Sequence, residues 1–112
     1  MIKKSINEVP LEDVNVEGAK DVKVQWIFSS KDNVPNFYFR IFHVKEGGST
    51  PKHKHPWEHE VLILEGKGKV FFEDEYIDFK EGDAFFIPPN KEHQFLAETN
   101  GKFICLIPKN GK

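Results

Sequence analysis

Glycine, proline and asparagine cut this chain at short intervals, and the pieces between them are rich in valine, isoleucine and phenylalanine. Hardly any piece shows the helical period, whereas many have the length and composition of short β-strands. The expected strands are Val22–Phe28, Phe37–Lys45, Pro51–His55, His59–Leu64, Lys69–Glu73, Glu75–Phe79, Ala84–Ile87, His93–Ala97 and Lys102–Ile107. Asn100-Gly101 is a favoured pair for a two-residue hairpin turn. Many short strands at regular spacing imply an antiparallel sandwich or barrel, and so an all-β protein. At 112 residues the chain has the size of one domain, able to bury roughly two-thirds of its unfolded surface. Residues 1–20 are polar and weakly periodic, suited to an edge strand or an arm over a neighbouring subunit; residues 21–112 form the expected folded domain.

Charge excludes some partners. A net charge of −2 provides no long-range attraction to nucleic acid or to an anionic membrane. No apolar run is long enough to span a bilayer as a helix. Met1–Glu8 carries two lysines with no apolar stretch behind them, unlike a secretory leader, so the expected location is the cytoplasm. The single cysteine, Cys105, leaves no internal disulfide and no thiolate metal cage. Its apolar setting is that of a small buried hydrophobe.

Four of the five histidines fall into two turn-bounded segments, His53, His55 and His59 in one and His93 in the other. Alternate side chains of a strand share a face. His53 and His55 therefore point together if Pro51–His55 is extended, and His59 shares the inward parity of Val61 and Ile63. Imidazoles crowded together are costly without a partner, and histidine is the commonest transition-metal ligand. The cluster reads as a metal site. His43 lies outside it, with parity opposite to Arg40, and is expected to be structural.

Gly47, five residues, His53-Lys-His55, three residues, His59, six residues and Gly66 make one spaced motif. Gly82, five residues, Pro88-Pro-Asn90, two residues and His93 make a second. Both resemble the paired motifs of the cupin superfamily, with His59 where a glutamate is usual, Asn90 where a glycine is usual and Ala97 in place of a terminal asparagine. Asparagine tolerates the left-handed backbone that the glycine position requires. The chain is also similar to a small single-domain subgroup of thermophilic bacterial and archaeal cupins. Asn36-Phe37, His55-Pro-Trp-Glu-His-Glu60 and Cys105-Leu-Ile-Pro-Lys109 carry that likeness.

The resemblance implies a double-stranded β-helix, the jelly-roll cupin barrel, as a single domain. It implies one divalent transition metal per chain held by His53, His55, His59 and His93, with manganese leading and iron, nickel, copper and zinc as alternatives. It implies a homodimer, formed by edge-strand exchange or sheet packing, and oxygenase-like chemistry on a small molecule.

Four neutral imidazoles leave a divalent ion with its full +2 charge, which favours anionic ligands. Phe95 shares parity with His93 and lines the same interior; Phe103, Cys105 and Ile107 share one face of the last strand, which the resemblance turns inward. Arg40, the single arginine, is a candidate clamp for a substrate carboxylate if it points inward with Tyr38 and Phe42. Tyr38 is the one plausible acid or base. Glu58 or Glu60 would orient an imidazole N–H if either turned toward the site. Three functions follow: a metal-dependent oxidoreductase on a small organic substrate, a non-redox isomerase or lyase using the metal as Lewis acid, and a metal-dependent binding module without catalysis.

Overall fold

The computed structural model describes residues 1–110, which form nine strands, β1 (Glu12–Asp13), β2 (Lys20–Phe28), β3 (Phe37–Ser49), β4 (His59–Glu65), β5 (Gly68–Phe72), β6 (Glu75–Phe79), β7 (Ala84–Ile87), β8 (His93–Ala97) and β9 (Gly101–Pro108). All pairings are antiparallel, in the order β6-β5-β8-β3-β9-β4-β7, with β2 on the other side of β3 and β1 outside it. β3 belongs to both halves of this curled sheet. From Phe37 to Val44 it pairs with β9, and at Ser49 it reaches β8 opposite Leu96. Gly47, at φ 81°, lies between these two stretches of pairing, in a backbone region that few other residues adopt. The result is the single-domain jelly-roll barrel that the strand pattern and motifs imply.

Alternation builds the interior. In β9, Gly101, Phe103, Cys105 and Ile107 are buried and the residues between them are half-buried. In β4, His59, Val61 and Ile63 are buried while Glu60, Leu62 and Leu64 face outward. Phe79, Phe95 and Phe103 pack ring against ring with centroids 5.4 to 6.0 Å apart, and Phe85 joins at 5.8 Å from Phe95. Full burial of each such side chain contributes about 1.5–3 kcal/mol.

Two sequence expectations are corrected. Asn100-Gly101 does not close a hairpin, because β8 and β9 never pair; β3 lies between them. The dipeptide instead ends a crossover, where Asn100 Oδ1 accepts from Glu46 N at 2.9 Å and Thr99 Oγ1 accepts from Lys67 N at 3.1 Å. Gly66 is pressed against it: a Cβ there would lie 2.5 Å from the Asn100 carbonyl oxygen. A true two-residue hairpin joins β5 to β6 through Glu73 and Asp74, both at positive φ as a primed turn demands.

Nor is Pro51–His55 a strand. Ser49 pairs with Leu96, Thr50 bonds both ways with Phe95, and then Pro51, lacking an N–H, interrupts the ladder. His53 pairs again, through reciprocal bonds with His93 of 3.3 and 3.1 Å, and the His55 carbonyl accepts from Asn90 N at 2.7 Å.

The first segment packs against β2 and its neighbours. β1 pairs with β2, Gln25 Nε2 donates to the carbonyls of Ile6 and Val9, and Lys4 donates to Ile27 O while pairing with Asp32 at 2.9 Å. The same Gln25 leaves its Oε1 to accept from His43 Nε2 at 2.6 Å, which gives His43 a structural role. Among the described residues no helix is long and apolar enough to cross a membrane.

Candidate metal centre

The bridge between His53 and His93 joins the two motifs at two candidate ligands, one on a proline-bounded loop and one at the start of β8. The candidate ligand atoms of His53, His55 and His93 all lie within 4.8 Å of one another. Nitrogens bound to one ion at about 2.1 Å sit roughly 3 to 4 Å apart, so small ring adjustments close the trio.

Hydrogen bonds set two of the rings. His55 Nδ1 stands 2.9 Å from the Trp57 carbonyl, and His93 Nδ1 stands 2.8 Å from that of Lys91. A carbonyl only accepts, so both Nδ1 atoms carry the proton and both Nε2 atoms keep a bare lone pair. Those two Nε2 atoms are buried without a partner. Leaving a buried acceptor unsatisfied costs about 1–3 kcal/mol, and two such atoms facing a third imidazole are what a bound cation would satisfy. The orienting groups are backbone carbonyls. Glu58 and Glu60, the carboxylates considered for that role, are both exposed, and β4 parity turns Glu60 away from His59 as its strand position implies.

His59 stands beside the trio and outside its 4.8 Å limit. Its ring centroid is 4.3 Å from that of His55 and 5.1 Å from that of His93, while its Nδ1 faces Cys105 Sγ at 3.7 Å. Trp57 stacks flat on His55 at 4.3 Å and confines that ring from one side.

Burial, ahead of the neighbouring positive charges, lowers the pKa of His53 to about 4 and that of His59 to about 2. Burial also lowers His55 and His93. Neutral imidazoles are the form that binds a metal. Burial pushes the Cys105 thiol up, against the opposing pull of Arg40.

A cavity of about 150 Å³ opens beside the histidines. His53, His59, His93, Phe95, Phe103 and Cys105 line it, together with Arg40. Ile107 is buried in the core but lies away from this cavity, and Tyr38 lines a separate groove with Lys4, Glu8 and Trp26. Phe42 lines the wall, and sequence reasoning missed Trp26, Val14 and Thr50, which line it too. Trp26 was legible in principle, because it shares the parity of the buried Val22 and Val24. Val14 carried no signal, since only the folding of the first segment onto β2 brings it there.

With this geometry, comparison with known proteins defines the class. Residues 40–107 match the family described as Cupin domain, and the chain belongs to that family. Its fold superposes on the polyketide cyclase RemF from Streptomyces resistomycificus with a TM-score of 0.90 and 30% identity, over 97% of this chain and 80% of that one. It is similar also to a predicted oxalate decarboxylase of Thermotoga maritima, with a TM-score of 0.82 and 25% identity, over 96% of this chain and 98% of that one. An uncharacterized protein of Methanocaldococcus jannaschii is 38% identical over 65 residues, and the match spans 55% of this chain and about half (52%) of that relative.

Proposed function

We propose that this cupin is a metal-dependent enzyme acting on a small organic substrate, and that its chemistry is oxidative, of the dioxygenase-like or peroxide-using kind. The observation that carries the metal is the pair of buried, unpartnered Nε2 atoms of His55 and His93 facing His53. His53, His55 and His93 would hold the ion, with His59 turning from Cys105 to become the fourth ligand. Manganese is the metal assigned, on the sequence resemblance; iron, nickel, copper and zinc are alternatives that imidazole also accepts. When bound, such an ion would supply adjacent open positions for substrate and oxidant.

The chain's own residues bind and shield. Phe95, Phe103 and Phe42 give the substrate an apolar wall that excludes water. Tyr38, the one acid or base that the strand pattern suggested, faces another groove. That leaves the wall without an obvious proton-transfer group and favours oxidation over acid–base chemistry. The likeness to a polyketide cyclase supports a second reading, a non-redox reaction in which the metal acts as Lewis acid.

Oxygen and peroxide consumption by the manganese-loaded protein over a substrate panel tests the first reading, with His53→Ala as control. Turnover that survives His53→Ala would defeat it, and full activity of a redox-inert zinc form would install the second. We also assign the protein to the cytoplasm and to a homodimer. The dimer would use the outward face of β4, β7 and the start of β3, where Leu62, Leu64, Phe86 and Phe37 are exposed.

A further inference from the structure

Arg40 is the single arginine, and it turns into the cavity shared with His53, His59 and His93. Its guanidinium carbon lies 5.3 Å from the Trp26 ring centroid and 4.9 Å from that of Phe42, so both aromatic faces hold it. One Nη2–H donates to Cys105 Sγ at 3.0 Å, and sulfur is a weak acceptor. Its Nε is buried with no partner. Among the described residues no carboxylate lies within ion-pair distance of it, although four lysines have such partners. Packing alone does not account for this choice. A methionine or leucine would fill the space between Trp26 and Phe42 without the cost of desolvating an unpaired charge.

We propose that Arg40 is the substrate-recognition residue of this site, and that the substrate is a compact monocarboxylate. The carboxylate docks side-on, one oxygen accepting from Nε–H and the other from an Nη–H, the two-pronged geometry that guanidinium offers and ammonium does not. The rest of the molecule lies toward the histidines along Phe95 and Phe103. An apolar cavity near 150 Å³ elsewhere accommodates benzene, so a carboxylic acid with a ring or a short branched chain fits, and a sugar chain or a nucleotide does not. The negative charge is favoured twice, by Arg40 and by an ion whose four ligands would all be neutral. This inference rests on the metal reading for the reaction, but the binding of the carboxylate to Arg40 does not require the metal.

The test is calorimetric titration with benzoate and its neutral counterpart benzamide, on the manganese-loaded and metal-free protein, for wild type, Arg40→Gln and Arg40→Lys. Manganese stoichiometry and melting temperature are measured for each. A charge-assisted pair of bonds corresponds to a preference for benzoate of about tenfold or more. That preference is expected in wild type with or without manganese, absent in Arg40→Gln, and weak in Arg40→Lys, while manganese stoichiometry stays unchanged. Absence of benzoate binding at millimolar concentration, equal affinity for the two probes in wild type, or a preference that survives in a folded Arg40→Gln protein overturns the proposal. A preference that disappears on removing manganese while ignoring Arg40 overturns it too, since the metal would then be the anion site. Failure of manganese to bind any form would instead defeat the metal reading and leave the metal-free arm to decide on Arg40.

Discussion

The two ends of the cavity are built differently. Its floor comes from β3, β4 and β9, laddered to one another from Phe37 to Val44 and from Glu60 to Ile63, with Phe103 and Ile63 each 1% exposed. Its rim comes from the stretch Thr50–Pro56, which touches the barrel through single bonds and one bridge. A floor of this kind holds the fold, because interdigitated side chains in ladders cannot shift without opening a void. A rim of this kind holds the chemistry, because rings on a short loop can rotate onto an ion without disturbing the sheet. Stability and function are therefore separable here, and substitutions at the two ends should separate them.

Phe103→Ala should produce the largest effect on that contrast. It removes the ring that meets both Phe79 and Phe95, and a loss of about 3–5 kcal/mol in urea unfolding is expected, metal present or absent. A loss below about 1 kcal/mol would mean that the floor is not the stabilising element.

His93→Ala acts where β8 meets the rim, at the bridge to His53. Manganese affinity should fall by more than the roughly tenfold to hundredfold that loss of an outer partner of a ligand costs. The metal-free protein should lose little, because an unsatisfied buried nitrogen goes with the ring. Manganese binding by titration and unfolding of the metal-free form read the two effects separately. An intact affinity would dissolve the distinction.

Acid should weaken the histidine cluster's contribution to stability. His53 has a folded pKa of about 4, His59 one of about 2, and both begin from 6.5 in the open chain. Between about pH 6.5 and 4 the unfolded chain binds protons that the folded one refuses, so unfolding becomes easier as pH falls. The urea midpoint of the metal-free protein should drop across that window, and His53→Ala should flatten the slope. A flat profile in the unsubstituted protein would show that these rings are solvated.

Phe86→Asp tests the outer surface against both ends of the cavity. Phe86 is 58% exposed on β7, and sedimentation should shift toward monomer with unfolding of the monomer nearly unchanged. Asn90→Ala should produce the smallest effect. The residue sits at φ 64°, where alanine costs about 1–2 kcal/mol and glycine relieves the strain. Asn90→Gly should therefore hold or raise the melting temperature.

Much of this was legible in the chain because strands betray themselves through parity. Val61 and Ile63 in β4 face inward as alternation requires; Phe103 and Cys105 in β9, a strand apolar on both faces, face inward as the family resemblance implies, and both strands begin and end within a residue or two of their expected limits. The spacing of His53, His55 and His93 likewise gathers three imidazoles. Where local signals misled, a distant strand had overruled them. Asn100-Gly101 has every local property of a hairpin, yet β3 occupies the place beside β8 that β9 would need.

Alone, the sequence determined the all-β class, the inward face of β4 and the candidate ligands, because side-chain alternation and motif spacing are local and survive without knowledge of the fold. Tertiary structure decided which way His59 turns, that carbonyls of Trp57 and Lys91 rather than carboxylates orient the rings, and that Arg40 meets Cys105 while Tyr38 faces elsewhere. The turn of His59 and the contact of Arg40 depend on Cys105, 46 and 65 positions away. Such contacts exist only after the barrel has closed, so no local pattern could encode them.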